Sequence, residues 1–401
     1  MSTDDSPPPR TVARVLIAVL VYNGREFVPR TISSLGRLAD STVSHHVDVV
    51  VLDDASPEEG WSDELAELCR SHGLGYYCSP RNLGIPRNMS LGLLLAEDRS
   101  YDFVVILNSD VIVPANMVDA MVAAAMSASD IGTVTAWSNA SSIFSLPNET
   151  ADDVLSDQAV VDAVSAELFD EFAATTLDLP TGVGFCLMIS SSAMAAVGLF
   201  DPVFGRGYCE EVDWCCRAAA AGFRNVLALG TFVYHVGSAT NRTAGLLAPG
   251  EETVTVNEDI IDQRHPGYRA ELHAWTERAP LDPFVQRALA RLVSTRARTA
   301  GYVLEASWLR RLDPDPSGDG RVRIAVDPDG VGPLVAAEVD GWRSVVPVGS
   351  DGILAAVSSF VGCRPDEVRI HDRGSVAERL AELATASGVP VIVRHRYPER
   401  V

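Results

Sequence analysis

The sequence contains no lysine. All 32 basic residues are arginine, and they stand against 54 aspartates and glutamates, for a formal net charge of −22. That balance excludes a nucleic-acid partner, which calls for basic surface, and it favours solubility. Without lysine there is no Walker-type phosphate loop, and no G-x-G-x-x-G follows a strand-like run. A diphosphate would therefore have to be met by a cation. Long hydrophobic runs are missing as well. The opening "MSTDDSPPPR" lacks the apolar segment of a signal peptide, and residues 1–12 read as a disordered tail. The longest weakly charged stretch, "TGVGFCLMISSSAMAAVGLF" at 181–200, is broken by three serines and interior glycines. It reads as a strand and a short helix rather than a transmembrane span. Seven cysteines, an odd number with no secretory signal, imply a reducing, cytoplasmic setting. The adjacent Cys215 and Cys216 read as core thiols.

What is present is a repeating alternation over residues 13–136. β-Branched runs ("ARVLIAVLVY", "HVDVVVLDD", "YDFVVILNSD", "IGTVTAW") alternate with helical patterns ("REFVPRTISSLGRL", "SDELAELCRSHG", "NMVDAMVAAAM"). Apolar strands alternating with helices predict an α/β domain with a mostly parallel sheet covered on both faces. After Trp137 the pattern breaks, and 138–180 reads as an acidic, helical insertion over one sheet edge. "TGVGFCLMI" predicts a strand, and "CEEVDWCCRAAAAG" a helix with an acidic first turn, stopped by Gly222. Residues 281–312 form a helical segment with six arginines and two acids. A solvated face or subunit contact in a homo-oligomer is the plainer reading; a peripheral surface for a lipid-linked or otherwise anionic acceptor is the sharper one. "DPDPSGDG", 313–320, reads as a linker, and 321–401 as a small C-terminal α/β domain.

Polar residues gather where three of these strands end. The first ends at Tyr22-Asn23-Gly24, the second at Asp53-Asp54 and the fourth at Asn108-Ser109-Asp110. In an open α/β sheet, ligands bind outside the carboxyl ends of the strands, so parallel neighbours would bring these groups to one crevice. Each acid alone could be a helix cap or a turn starter. An acid at the tip of a buried strand costs desolvation unless it is paired. A Mg²⁺ or Mn²⁺ ion bridging Asp110, a hard-oxygen ligand, and a diphosphate answers that cost.

The series "VLVYNG", "VVVLDDAS", "NLGIPRNMSLGL", "VILNSD", "TGVGFCLMISSSAMAAVGLFD", "CEEVDWCCRAAAAGF" and "VYHVGSAT" resembles, in order and spacing, the family 2 inverting glycosyltransferases of GT-A fold, of the rhamnosyl- and galactosyltransferase kind. The resemblance spans about 13–240 and places a GT-A domain over 13–280. It implies transfer of a sugar from a UDP or dTDP donor to an acceptor hydroxyl. It implies that Tyr22, Asn23, Asp53 and Asp54 line the nucleotide pocket, with Asp53 facing the base. Arg87 and Asn88 would lie beside the nucleotide and its phosphates. "NSD" takes the place of the DXD motif, with Asn108 for the first acid, Ser109 between, and Asp110 as metal ligand; His235 would complete the metal site. Glu211, where the family normally has aspartate, would be the general base, with Asp213 next and Glu210 third. All three acids also suit a helix's first turn, and Asp213 with Arg217 is an i, i+4 pair. Gly182 and Gly184 would leave room for the acceptor, and Trp137 or Trp214 could offer a sugar platform, although such aromatics are more often core. Two rival readings are a catalytically idle sugar-nucleotide-binding scaffold and a sugar-phosphate nucleotidyltransferase.

Overall fold

The computed structural model describes residues 12–40, 44–141, 143–146, 156–237, 253–306, 322–326, 334–339, 342–347, 364–370 and 375–393. The expected tail, apart from Val12, and the expected linker at 313–320 lie outside them.

In chain order the first elements are β1 (Arg14–Val21), α1 (Val28–Asp40), β2 (His46–Asp53), α2 (Trp61–Ser71), β3 (Gly75–Cys78), α3 (Ile85–Asp98), β4 (Phe103–Asn108), β5 (Val111–Ile112), α4 (Met117–Ala125) and β6 (Ile131–Trp137). Then come α5 (Gln158–Phe172), β7 (Thr176–Leu179), β8 (Cys186–Ser190), α6 (Ser191–Val197), α7 (Glu210–Ala220), β9 (Arg224–Phe232) and β10 (Tyr234–His235). Helices α8 (Thr253–Arg264), α9 (Tyr268–Arg278) and α10 (Asp282–Ala300) follow. The chain closes with β11 (Tyr302–Ala306), β12 (Val322–Val326), β13 (Leu334–Val339), β14 (Trp342–Pro347), β15 (Glu367–Ile370), α11 (Ser375–Ala386) and β16 (Val391–Val393). Contacts divide it into two compact units, 1–141 with 172–278 and 142–171 with 279–401.

Among the described residues, the first unit carries an eight-stranded sheet in the order β3-β2-β1-β4-β8-β6-β9-β7. Strands β3, β2, β1 and β4 run parallel, as do β6 and β9; β8 and β7 are antiparallel to their neighbours. The unbroken apolar runs of β1, β4 and β6 are buried along nearly their whole length, as expected of strands covered on both faces. The helices close on the sheet through regular apolar spacing. Val28, Ile32, Leu35 and Leu38 of α1 are buried, as are Trp61, Leu65 and Cys69 of α2. Helix α3 packs so closely that a Cβ on Gly92 would come within 2.9 Å of the Ala18 Cβ.

One expectation is corrected in detail. The strand read over "TGVGFCLMI" begins only at Cys186. Ahead of it the backbone is held by side chains instead: Gly182 N–H by Cys215 Sγ at 3.3 Å and Val183 N–H by Thr135 Oγ1 at 3.4 Å.

In the second unit, the described strands form a sheet in the order β14-β13-β12-β11-β15-β16. Helix α10 lays its arginines on the acids of α5: Arg287 on Glu171 at 2.7 Å, and Arg291 on Glu167 at 2.6 Å and Asp170 at 3.2 Å. Two of the six arginines that suggested a surface for an anionic acceptor are thus engaged within their own unit. No described helix is long and apolar enough to cross a membrane.

Candidate active site

Register sets the site. Val21 of β1 pairs with Asp53 of β2, and Leu20 with Asn108 of β4, so three parallel strands end level with one another. Their tips carry the Tyr22, Asp53 and Asn108 clusters along one edge. At the β1 tip the chain turns through Asn23 at φ 59° and Gly24 at φ 93°. Ser56 Oγ accepts the Asn23 N–H at 2.7 Å, and Trp61 Nε1 donates to the Asn23 carbonyl at 3.3 Å. Beside this turn is a cavity of about 580 Å³ lined by Asn23, Gly24, Arg25, Glu26, Pro57 and Glu58. Tyr22 is half-buried next to it. The Asn23 Oδ1 is buried and, among the described residues, accepts no hydrogen bond.

The two aspartates at the β2 tip face inward, contrary to the expectation that Asp53 faces a base. Asp53 is fully buried and accepts four hydrogen bonds: from Ser56 N–H at 3.0 Å, Ser56 Oγ at 2.6 Å, Ser62 Oγ at 2.6 Å and Tyr76 OH at 2.8 Å. A carboxylate has about four lone-pair sites, so these donors fill it. Asp54 accepts the N–H groups of Leu83 at 2.7 Å and Gly84 at 2.9 Å, fixing the loop that opens α3. Burial pushes its carboxyl up, and those two N–H groups pull it back. In that helix Arg87 is exposed and donates to the Leu83 carbonyl, whereas Asn88 is buried and donates through Nδ2 to the Leu52 carbonyl at 3.0 Å. Asn88 therefore ties α3 to β2.

At the β4 tip, Ser109 is buried and its carbonyl accepts the Thr31 hydroxyl at 2.7 Å. Asp110, 1% exposed, stands with Oδ1 3.3 Å from Nε2 of His235. They meet because β5 pairs antiparallel with β10, setting His235 opposite Val111. Asn139 grips the histidine backbone from both sides, accepting its N–H at 2.8 Å and donating to its carbonyl at 2.9 Å. The imidazole stacks on Phe185 at 5.2 Å, and Nδ1 lies 3.3 Å from the Ala140 carbonyl. With Nδ1–H donating there, Nε2 turns a lone pair toward a carboxylate oxygen. Two acceptors so close suit a shared cation. Among the described residues no group of three or more His, Cys, Asp or Glu side chains could hold a metal.

Glu211 sits in the first turn of α7, half-buried. Burial raises its carboxyl, and the N–H groups of Glu211, Gly184 and Val212 oppose that rise. Gly184, not Gly182, is the glycine beside it: a Cβ on Gly184 would lie 3.7 Å from the Glu211 carboxyl carbon. A Cβ on Gly182 would instead strike Leu187 and touch Cys215, so its smallness serves internal packing. Asp213 is not free to act as a base. It is buried under Arg217 at 2.9 Å, Arg264 at 3.3 Å and His265 Nε2 at 2.9 Å. Glu210 is buried next to Glu211, and its carboxyl is pushed up by burial and by that neighbour's charge. Trp214 and Trp137 are core residues, donating through Nε1 to the Gly198 and Leu229 carbonyls.

The residue that the sequence reading missed is Phe185. Its carbonyl accepts the Asn108 N–H at 2.8 Å while its ring supports His235, and the preceding N–H, of Gly184, meets Glu211. One dipeptide touches the β4 tip, the histidine and the acid of α7. Inside an apolar strand pattern it gave no signal of its own.

Residues 16–190 match the family described as Glycosyl transferase family 2. This segment is a family 2 glycosyltransferase domain. It contributes the parallel strands β1 to β4 of the mostly parallel sheet. No curated protein matches the chain. Among solved structures, the chain is similar to a mannosyltransferase from Pyrobaculum calidifontis in complex with GDP-Man and Mn²⁺, at 17% identity and a TM-score of 0.45, over 75% of this chain and 79% of that one. It is also similar to GalNAc-T7 with UDP, GalNAc and Mn²⁺, at 14% identity and a TM-score of 0.44, over 56% of this chain. The similar region spans 44% of the GalNAc-T7 chain, less than half its length. The matched segment thus includes the strand tips at 22–24, 53–54 and 108–110, while Glu211, His235 and residues 279–401 lie beyond it.

Proposed function

We propose that this glycosyltransferase is an inverting enzyme using a UDP- or dTDP-sugar, with Asp110 and His235 holding a divalent cation, Mg²⁺ or Mn²⁺, and Glu211 acting as general base. The observation that carries the reading is the placing of two chemically different groups at the two ends of Gly184-Phe185: an imidazole facing a carboxylate, and a separate carboxylate whose proton affinity is raised by burial. The cation would neutralise the charge that develops on the leaving diphosphate. Its remaining coordination would come from phosphate oxygens and water. Asn23, with its open Oδ1, and the cavity beside it would receive the nucleotide. Glu211 would take the acceptor hydroxyl's proton as the new bond forms, a contribution of about 10²–10⁴ in rate. The raised carboxyl suits that task, since a base works best with a pKa near the working pH.

Calorimetry with UDP, dTDP and GDP, with and without Mn²⁺, tests the donor half. Metal-enhanced binding of UDP or dTDP, lost in Asp110→Ala, is expected; equal binding by the variant, or a preference for GDP, overturns that half. Assay of Glu211→Gln against a panel of UDP- and dTDP-hexoses tests the base. Full turnover by a folded variant removes Glu211 from the role.

A further inference from the structure

Immediately ahead of Glu210 and Glu211 the chain takes a backbone path that side chains disfavour. Gly205 (φ 62°), Gly207 (φ 129°), Tyr208 (φ 84°) and Cys209 (φ 71°) all lie in the left-handed region, and two of them are not glycine. Consecutive L-residues in that region bring Cβ against the next carbonyl, and the conformation persists only where surroundings impose it. Cys209 is the residue from which α7 starts, and its carbonyl accepts the Asp213 N–H at 3.0 Å. The direction in which Glu211 leaves the helix is thus fixed by a strained stretch.

A single side chain on another helix bonds three carbonyls of this stretch. Asn257 of α8 is buried, and its Nδ2 donates to the carbonyls of Phe204 at 3.1 Å, Gly207 at 2.8 Å and Tyr208 at 2.9 Å. Three carbonyls converging on one amide nitrogen is a turn wrapped around a donor; without it, they would point at one another with nothing between. Two helical turns further along α8, Arg264 and the following His265 reach Asp213 in the first turn of α7. Helix α8 therefore grips the start of α7 at two points, the loop before it and the acid inside it. The same loop meets the nucleotide side, since the Arg206 carbonyl accepts the Ile85 N–H at 3.2 Å.

We infer that Asn257 is a positioning residue for the transfer reaction: by holding residues 204–208 in their left-handed path it sets where α7 begins and hence where the Glu211 carboxylate points. The inference rests on the reading of Glu211 as base. It concerns a residue well past the matched family segment.

The experiment uses the full chain and the variants Asn257→Ala, Asn257→Ser, Asn257→Ala with Tyr208→Gly, and Glu211→Gln. Three readouts are taken. The first is kcat and donor KM on the hexose panel across pH. The second is UDP–Mn²⁺ affinity by calorimetry. The third is the rate at which iodoacetamide alkylates Cys209, read by peptide mass spectrometry against the exposed Cys78. Displacement of a catalytic group by about 1 Å costs on the order of 10²-fold. Asn257→Ala should lose kcat on that order with donor KM and UDP–Mn²⁺ affinity held, shift the acid limb of the kcat profile, and expose Cys209. Glycine at 208 takes the left-handed path without cost, so the double variant should recover part of kcat and re-protect Cys209. Asn257→Ser, which keeps one donor on a shorter side chain, should fall between wild type and alanine, and it carries the test if alanine does not fold. Wild-type kcat, pH profile and Cys209 protection in Asn257→Ala or Asn257→Ser, alongside an inactive Glu211→Gln, overturn the inference. Full turnover by Glu211→Gln instead removes the base reading, and Cys209 alkylation still reports whether Asn257 holds the loop.

Discussion

Asp110 Oδ1 and His235 Nε2 lie 3.3 Å apart, brought together by a two-residue ladder between β5 and β10. A ladder that short has little hold of its own. Asn139 supplies it by bonding both the N–H and the carbonyl of His235. Outer partners of metal ligands typically set affinity by 10–100-fold. Asn139→Ala should therefore weaken Mn²⁺-promoted UDP binding by about tenfold, and His235→Ala by more, with metal-free UDP binding unchanged in both. Calorimetry with and without Mn²⁺ decides it: equal losses in the two conditions would mean that the pair shapes the nucleotide pocket and holds no cation.

Gly84 is where the loop that opens α3 meets the loop ahead of α7. It sits at φ 81° and ψ 157°, a region open essentially to glycine alone. A Cβ there would lie 2.3 Å from the Gly205 carbonyl oxygen. Gly84→Ala is expected to cost about 3 kcal/mol, from strain and the forced shift together. Gly73, at φ 69° with open space around it, isolates the backbone part, and Gly73→Ala should cost about 1 kcal/mol. Urea denaturation of the two variants gives the comparison. Equal losses would show that the loop at 205 moves aside freely.

Trp214 separates packing from sugar recognition. Its ring is buried against Phe200, 5.9 Å between centroids, and its Nε1–H is satisfied by Gly198. Trp214→Phe keeps most of the apolar volume and loses that hydrogen bond, so a loss of about 2 kcal/mol of stability is expected, with turnover per folded molecule unchanged. A raised acceptor KM at unchanged stability would restore the tryptophan to an acceptor surface.

The parallel core was legible because its strands are continuous apolar runs that only a doubly covered sheet can bury. The level strand tips followed from that, and with them the grouping of Asn23, Asp53 and Asp110. The direction of a side chain at a tip was not legible. Asp53 turns inward because Ser62 and Tyr76, carried by α2 and β3, happen to converge on it. Gly182 and Gly184 were indistinguishable by spacing, and only the approach of α7 tells which one borders Glu211. Asn257 lay in "TVTVNEDIIDQR", a helix with little amphipathic pattern, where one buried amide among exposed polar residues leaves no trace in the sequence. Its role depends on left-handed residues at 208 and 209, which neither tyrosine nor cysteine announces.

Those residues lead to Glu210, whose carboxyl is nearly buried beside Glu211. Burial raises its pKa from the model-peptide value of 4.5 to about 8, Glu211's charge adds to the rise, and the N–H groups of Glu210 and Tyr208 oppose it. A carboxyl held higher in the folded than in the unfolded chain binds its proton more tightly when folded. The stability this contributes is fully present below pH 4.5 and is lost as pH rises through about 8. Above that, the fold must carry two adjacent carboxylates in a poorly solvated helix turn. Glu210→Gln removes the ionisation while keeping shape and polarity. The variant should therefore gain on the wild type as pH is raised from 6 to 9, read as the difference between their urea midpoints at each pH. A constant difference across that window would mean that Glu210 is already ionised at pH 6 and that the turn tolerates both charges.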